Sequence, residues 1–266
     1  MVKKHVVSSR GTVYYWTNEI NNSTDTAIVF CHGLTADHTL FDLQVKELEN
    51  KYKIITWDYA LHGDSKPYQD ASFANINKDL HAILSQELIK KIVLVGQSAG
   101  GYIAQSFTKT YKELVIGFIG IGTTPLDESY YKKSELFWIK HFTSIVKLYP
   151  YNYYCKLCVK SVAMTDAART SMYNTLVKLG KQGMLDAAGV IYGQFLKAKD
   201  GVEFCCPVLI TYGEYDKTGY VKRYCNDWTR RTGYPLKVIK NASHNANYDN
   251  HLEFNQLLIS FVEALD

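Results

Sequence analysis

Short apolar runs that recur along the chain, with amphipathic stretches between them, are what most limit the folds open to it. The runs are Ala27 to Cys31, Lys53 to Trp57, Ile92 to Val95, Val115 to Ile121, Val208 to Tyr212 and Leu236 to Ile239. Such runs suit strands covered on both faces, and parallel strands need a helical crossover to bring the chain back. Leu40 to Leu48, Phe73 to Leu88, Tyr102 to Tyr111 and Tyr220 to Arg231 place apolar residues at helical spacing, and so does the tail through Leu252, Leu257, Leu258, Phe261, Val262 and Leu265. Lys4 to Val7 and Thr12 to Trp16 flank the turn-forming Ser8 to Gly11 and predict an antiparallel hairpin at the sheet edge. The pattern predicts an α/β architecture, a mainly parallel eight-stranded sheet with helices on both faces.

The alternation fails after Ile121 to Pro125, where a segment rich in Tyr, Phe, Trp, Lys and Met carries no strand signal before Pro207. That segment predicts helices inserted over the sheet. The expected division is a core of residues 1–125 and 204–266 with a helical cap, or lid, at 126–203. At 266 residues and 47% hydrophobic content, one core and one site are the natural outcome.

Charge and cysteine content remove several function classes. Lys and Arg exceed Asp and Glu only by 30 to 26 and form no long basic run, so no nucleic-acid partner is expected. The opening Met1 to Arg10 lacks an apolar stretch of signal-peptide length and no window approaches a membrane span, so no membrane partner is expected. Six cysteines in a chain of this length do not form a disulfide framework, and reduced thiols in a cytoplasm are expected. Cys155 and Cys158 have redox-motif spacing, but their surroundings look helical and no second Cys or His pair lies at zinc-finger distance.

The chemistry centres on Lys91-Ile-Val-Leu-Val-Gly96-Gln-Ser98-Ala-Gly100-Gly101, a serine at a sharp turn between an apolar strand and a helix. This is the G-x-S-x-G pattern in the context that gives it meaning. Glycines are needed because a side chain would collide within the turn. The helix beyond Ser98 directs N–H groups toward developing negative charge.

A nucleophilic serine needs a base, and of eight histidines His244 stands in a polar loop after the last strand. The acid is expected after the preceding strand, where Gly213-Glu-Tyr-Asp216 supplies a glycine turn and then Asp216. Glu214 and Asp127 are the alternative carboxylates. Two backbone N–H groups, of Leu34 after His32-Gly33 and of Ala99 after the serine, are the expected oxyanion donors. His32, Asp58 and His62 are expected to shape loops.

His32-Gly33, Asp58 to Ser65, Gly96 to Gly101, Gly213 to Asp216 and His244 together resemble the α/β-hydrolase superfamily along nearly the whole chain. The chain is similar to its capped branch of esterases, enol-lactone hydrolases and carbon-carbon bond hydrolases, in which a helical insert after the sixth strand covers the serine. Two departures stand out. The usual Arg-Gly-His-Gly turn reads Tyr59-Ala-Leu-His62-Gly63, and Ala99 replaces the commoner methionine.

The expected activity is therefore hydrolysis of a carboxylic ester or related acyl bond by a Ser-His-Asp triad, with water as co-substrate and no metal or organic cofactor. Carbon-carbon bond or lactone hydrolysis, acyl transfer to another acceptor, and a small-molecule receptor on the same scaffold are the competing readings. Trp138, Phe142 and Tyr192 in the insert are candidate contacts for an apolar substrate, although core packing is the commoner role of such residues.

Overall fold

A computed structural model describes residues 1–20 and 25–265. Strands β1 (Val2–Ser8) and β2 (Gly11–Thr17) form the hairpin, with Val2 opposite Thr17 and Ser8 opposite Gly11. Strand β3 (Thr26–Cys31) leads through a 3₁₀ turn, His38–Phe41, into α1 (Asp42–Leu48), and then come β4 (Ile54–Trp57) and α2 (Phe73–Gln86). Strand β5 (Lys91–Gln97), α3 (Ala99–Thr110) and β6 (Val115–Ile121) complete the first half. The sheet has eight strands in the order β1-β2-β4-β3-β5-β6-β7-β8, where β7 is Val208–Gly213 and β8 is Leu236–Ile239. From β4 onward every pairing is parallel, while β1 with β2 and β2 with β4 are antiparallel.

The two-sided core follows from the alternation of side chains along a strand. Ala27, Val29, Cys31, Ile92 and Leu94 face one layer with Ile76, Leu80, Ile103 and Phe107 of α2 and α3. Ile28, Phe30, Val93 and Val95 face the other with Val45 and Leu48 of α1. Both layers are needed because a parallel strand buried on one face alone would leave half its apolar side chains in water. Local signals start and stop the helices. Ser72 caps α2 by accepting the Asn75 N–H at 3.2 Å. Gly233 ends the helix after β7 in a left-handed conformation with φ of 77°.

Between β6 and β7 the chain forms α4 (Lys133–Val146), α5 (Tyr151–Val162) and α6 (Asp166–Phe195), the last interrupted at Gly180. α4 buries only Val146, whereas α6 buries ten residues, Met172, Leu176 and Met184 among them. Polar ties join this insert to the rest. Glu135 bonds Arg223 at 2.5 Å and also Tyr224, Lys178 bonds Asp64 at 2.8 Å, and Asp249 accepts the N–H groups of Met164 and Thr165 at 2.9 Å. The chain closes with α7 (Val221–Thr232), α8 (Ala246–Asp249) and α9 (His251–Glu263), and α9 adds Phe254, Leu258 and Val262 to the layer of α1.

All six cysteines are free. Cys155 is buried on α5 and Cys158 is half-buried one turn later, where burial pushes its thiol up to about 11. Neither is poised for redox chemistry.

Candidate active site

Ser98 occupies the turn between β5 and α3 with φ of 50° and ψ of −118°, a left-handed conformation rare for any residue but glycine. The turn is held because the Ser98 N–H donates to the Ile121 carbonyl at 2.8 Å and the Gly101 N–H to the Ser98 carbonyl at 2.9 Å. Its glycines are sterically required. A Cβ on Gly100 would lie 2.0 Å from the Cys31 carbonyl oxygen, and one on Gly96 would lie 2.6 Å from the Gly101 Cα.

His244 and Asp216 come together from loops after β8 and β7, with His244 Nδ1 at 2.8 Å from Asp216 Oδ2. The second Asp216 oxygen accepts the Thr218 N–H at 2.8 Å. Burial raises the Asp216 carboxyl, but the charge and hydrogen bond of His244 and the bond from Thr218 outweigh it, and the net effect lowers it. The two loops close on each other because Gly213 lacks a side chain, which would otherwise meet the Ser243 carbonyl at 1.9 Å. Of the alternative acids, Glu214 accepts the Asn241 N–H at 3.1 Å and Asp127 accepts that of Ser129 at 2.8 Å.

Leu34 and Thr35 are the central residues of a turn closed by the Ala36 N–H on the Gly33 carbonyl at 3.2 Å, with Thr35 at φ of 68°. Leu34 borders the cavity above Ser98, and Ala99 is the first residue of α3. His32 lies beneath this turn, its Nδ1 at 2.8 Å from the Gly33 carbonyl and its ring stacked on Tyr59 at 4.1 Å. Burial lowers His32 to about 4 and His62 to about 3, so both are neutral at pH 7. Asp58 accepts the backbone and ring N–H groups of His38, each at 2.8 Å, and the Asp64 N–H at 2.7 Å. Asp37, His38 and Asp58 could in principle hold a cation. The bonds to Asp58, those from Thr39 to Asp37 and the stacking of His38 on Trp16 already account for these groups within the loop.

Above Ser98 lies a cavity of about 540 Å³, lined by Ser98 and His244 below and by insert residues including Trp138, Phe142, Tyr154 and Tyr192 above. The three aromatic residues singled out in the sequence all border it. Phe142 and Tyr192 meet edge to face with ring centres 5.0 Å apart. Its size falls in the range of sites that hold a small molecule.

Sequence reasoning missed Gln97. Its amide donates to the His244 carbonyl at 3.2 Å and to Asn245 Oδ1 at 3.4 Å, and it packs against Gly33. One side chain thus joins the serine turn, the histidine loop and the Leu34 turn. Gly122 was also missed; it has φ of 54°, and a Cβ there would lie 3.0 Å from His244 Nδ1. Neither residue type carries a signal beyond its place next to a motif.

The eight-stranded, mainly parallel sheet with its covering helices is the α/β-hydrolase fold. Residues 26–152 match the family model described as alpha/beta hydrolase fold. The chain is 33% identical to the sn-1-specific diacylglycerol lipase of Mus musculus over 111 residues, 39% of this chain and 36% of that protein. It is 35% identical to 3-oxoadipate enol-lactonase 1 of Acinetobacter baylyi over 78 residues, 29% of each chain. These matches therefore span about a third of the curated relatives. A thermophilic esterase from Thermogutta terrifontis shares the fold with a TM-score of 0.81 at 17% identity, over 100% of this chain and 99% of that one.

Proposed function

We propose that this chain is a serine hydrolase that cleaves a carboxylic ester of a small, apolar substrate, with Ser98 as nucleophile, His244 as base and Asp216 as the acid that orients it. The observation that carries the reading is the buried 2.8 Å contact of Asp216 with His244 on the floor of the cavity that Ser98 also lines. A carboxylate on Nδ1 leaves Nε2 free to take the serine proton and stabilises the imidazolium that results.

In this mechanism Ser98 Oγ bonds to the ester carbonyl carbon while its proton passes to His244. The carbonyl π electrons move onto oxygen, where the N–H groups of Leu34 and Ala99 stabilise them. Collapse expels the alkoxide, which takes the proton from His244, and leaves an acyl-serine. Water, deprotonated by His244, then attacks the acyl carbon, and collapse releases the acid as Ser98 Oγ takes the proton back from His244. Each oxyanion donor is worth roughly a hundred- to a thousand-fold in turnover. Residues 126–203 act as the cap, and their aromatic side chains supply the apolar wall for the acyl chain. No cofactor takes part. The exposed free thiol of Cys205 fits a reducing compartment such as a cytoplasm.

A lactone is an internal ester open to the same steps, and the likeness to the enol-lactonase makes it the second reading. Hydrolysis of p-nitrophenyl esters from acetate to decanoate tests the proposal, with folded Ser98→Ala and His244→Ala as controls. Activity that collapses in both variants supports it. Wild-type inactivity on every ester and on simple lactones, or variants equal to wild type, would refute it.

A further inference from the structure

The outer surface of the insert is unlike the rest of the molecule. Between residues 131 and 165 stand six lysines, Lys132, Lys133, Lys140, Lys147, Lys156 and Lys160, and all are exposed. Among the described residues none of the six forms an ion pair through its side chain, and the one acid in the stretch, Glu135, is bound by Arg223 and Tyr224. The whole chain has a net charge of only +4, so the remainder is close to neutral.

The same stretch exposes its largest apolar side chains. Leu148 is 82% exposed and Trp138 63%, with Phe137, Tyr149, Tyr153 and Leu157 also exposed. On α4, Lys133, Phe137, Lys140 and Ser144 fall on one side of the helix, and Leu148 continues that side beyond its end. On α5, Tyr153, Lys156, Leu157 and Lys160 do the same. Trp138, Tyr149 and Leu157 are exposed and also line the cavity, which places this surface around its opening.

We infer that the α4–α5 face docks on an anionic lipid surface, with the cavity opening toward it. Aromatic and leucine side chains flanked by lysines are the combination that settles at headgroup depth, the apolar groups entering the acyl boundary and the ammonium groups meeting phosphates. An acidic protein would satisfy the lysines but not six exposed large apolar groups, and a second copy of this face would bring like charges together. No helix among the described residues is long and apolar enough to cross a membrane, so the association is peripheral.

Flotation of the intact protein with phosphatidylcholine vesicles, with and without about a third phosphatidylglycerol, tests this directly. The protein should float with the anionic vesicles only and be released at high salt. Each lysine contributes about a fivefold factor, so Lys140→Glu with Lys156→Glu should weaken binding by about twenty-five-fold or more. Phe137→Ser with Leu148→Ser should weaken it independently of salt. Ser98→Ala protein should bind like wild type, which separates this outcome from the fate of the esterase reading. The inference is overturned if folded protein ignores anionic vesicles or binds neutral ones equally. It is also overturned if sedimentation shows a dimer that Phe137→Ser with Leu148→Ser dissolves while vesicles do not compete.

Discussion

His244 Nδ1 and Asp216 Oδ2 meet at 2.8 Å with both side chains almost wholly shielded from water. A hydrogen bond between groups brought from two strand ends, in surroundings where water cannot compete, fixes the ring's tautomer and direction. Asp216→Asn should therefore keep the fold but lower ester turnover by about 10⁴-fold, because the amide favours the wrong tautomer. Glu214→Gln should leave turnover near the wild-type rate, since Glu214 is engaged by the Asn241 N–H. Steady-state kinetics on one p-nitrophenyl ester decides between the two carboxylates.

Asp58 should make stability depend on pH. Burial opposes its ionisation, but the hydrogen bond and charge of His38 and the Asp64 N–H prevail and hold it down to about 2. A native carboxyl that titrates below its unfolded value stabilises the fold by about 2 kcal/mol once the pH exceeds the unfolded value of about 3.9. That contribution is lost as the pH falls from about 4 through the native value. Urea unfolding should show Asp58→Asn destabilised by about 2 kcal/mol at neutral pH, with the gap narrowing below about pH 4. A gap of constant size would mean that the charge is not the source.

Two glycines should respond in opposite directions to alanine. At Gly100 the new methyl would lie 2.0 Å from the Cys31 carbonyl and 2.5 Å from that of His32, backbone atoms that cannot move aside without reshaping the serine turn. Gly100→Ala should cost about 3 kcal/mol or more, or prevent folding. Gly189 lies exposed on α6 with nothing within 4 Å of its missing methyl. Gly189→Ala should stabilise by about 0.5–1 kcal/mol through helix propensity. Thermal unfolding of the two variants provides the comparison.

The aromatic pair over the cavity should set the acyl length. Phe142 and Tyr192 meet edge to face and both border the space above Ser98. Phe142→Ala should raise the decanoate-to-acetate ratio of kcat/KM by at least about tenfold, because each added methylene that finds apolar contact is worth about 1 kcal/mol or more. An unchanged ratio would place the acyl chain elsewhere in the cavity.

The sheet was legible because its information is local. A run such as Ala27 to Cys31 must be covered on both faces wherever it sits, and Gly96 to Gly101 can only be a tight strand-to-helix turn. The boundaries moved slightly where propensity is weak. The helix read from Tyr102 begins at Ala99, because the turn at Ser98 starts it directly. The stretch read from Leu40 opens as a 3₁₀ turn, with Asp37 accepting the Thr39 N–H.

Chain order alone made Ser98, Asp216 and His244 readable as candidates, since each follows a recognisable strand. What only the tertiary structure decided are relations between distant residues. It set which carboxylate reaches His244 across 28 positions, and how Gln97 spans 147 positions to hold the histidine loop. It also set which aromatic residues of the insert border the cavity, as Phe142 and Tyr192 do, which stand in water beside six lysines, as Phe137 and Tyr153 do, and which do both, as Trp138 and Tyr149 do. A local pattern reports how neighbours in sequence must fold, but which side of a helix meets another element is settled by packing among segments far apart in the chain.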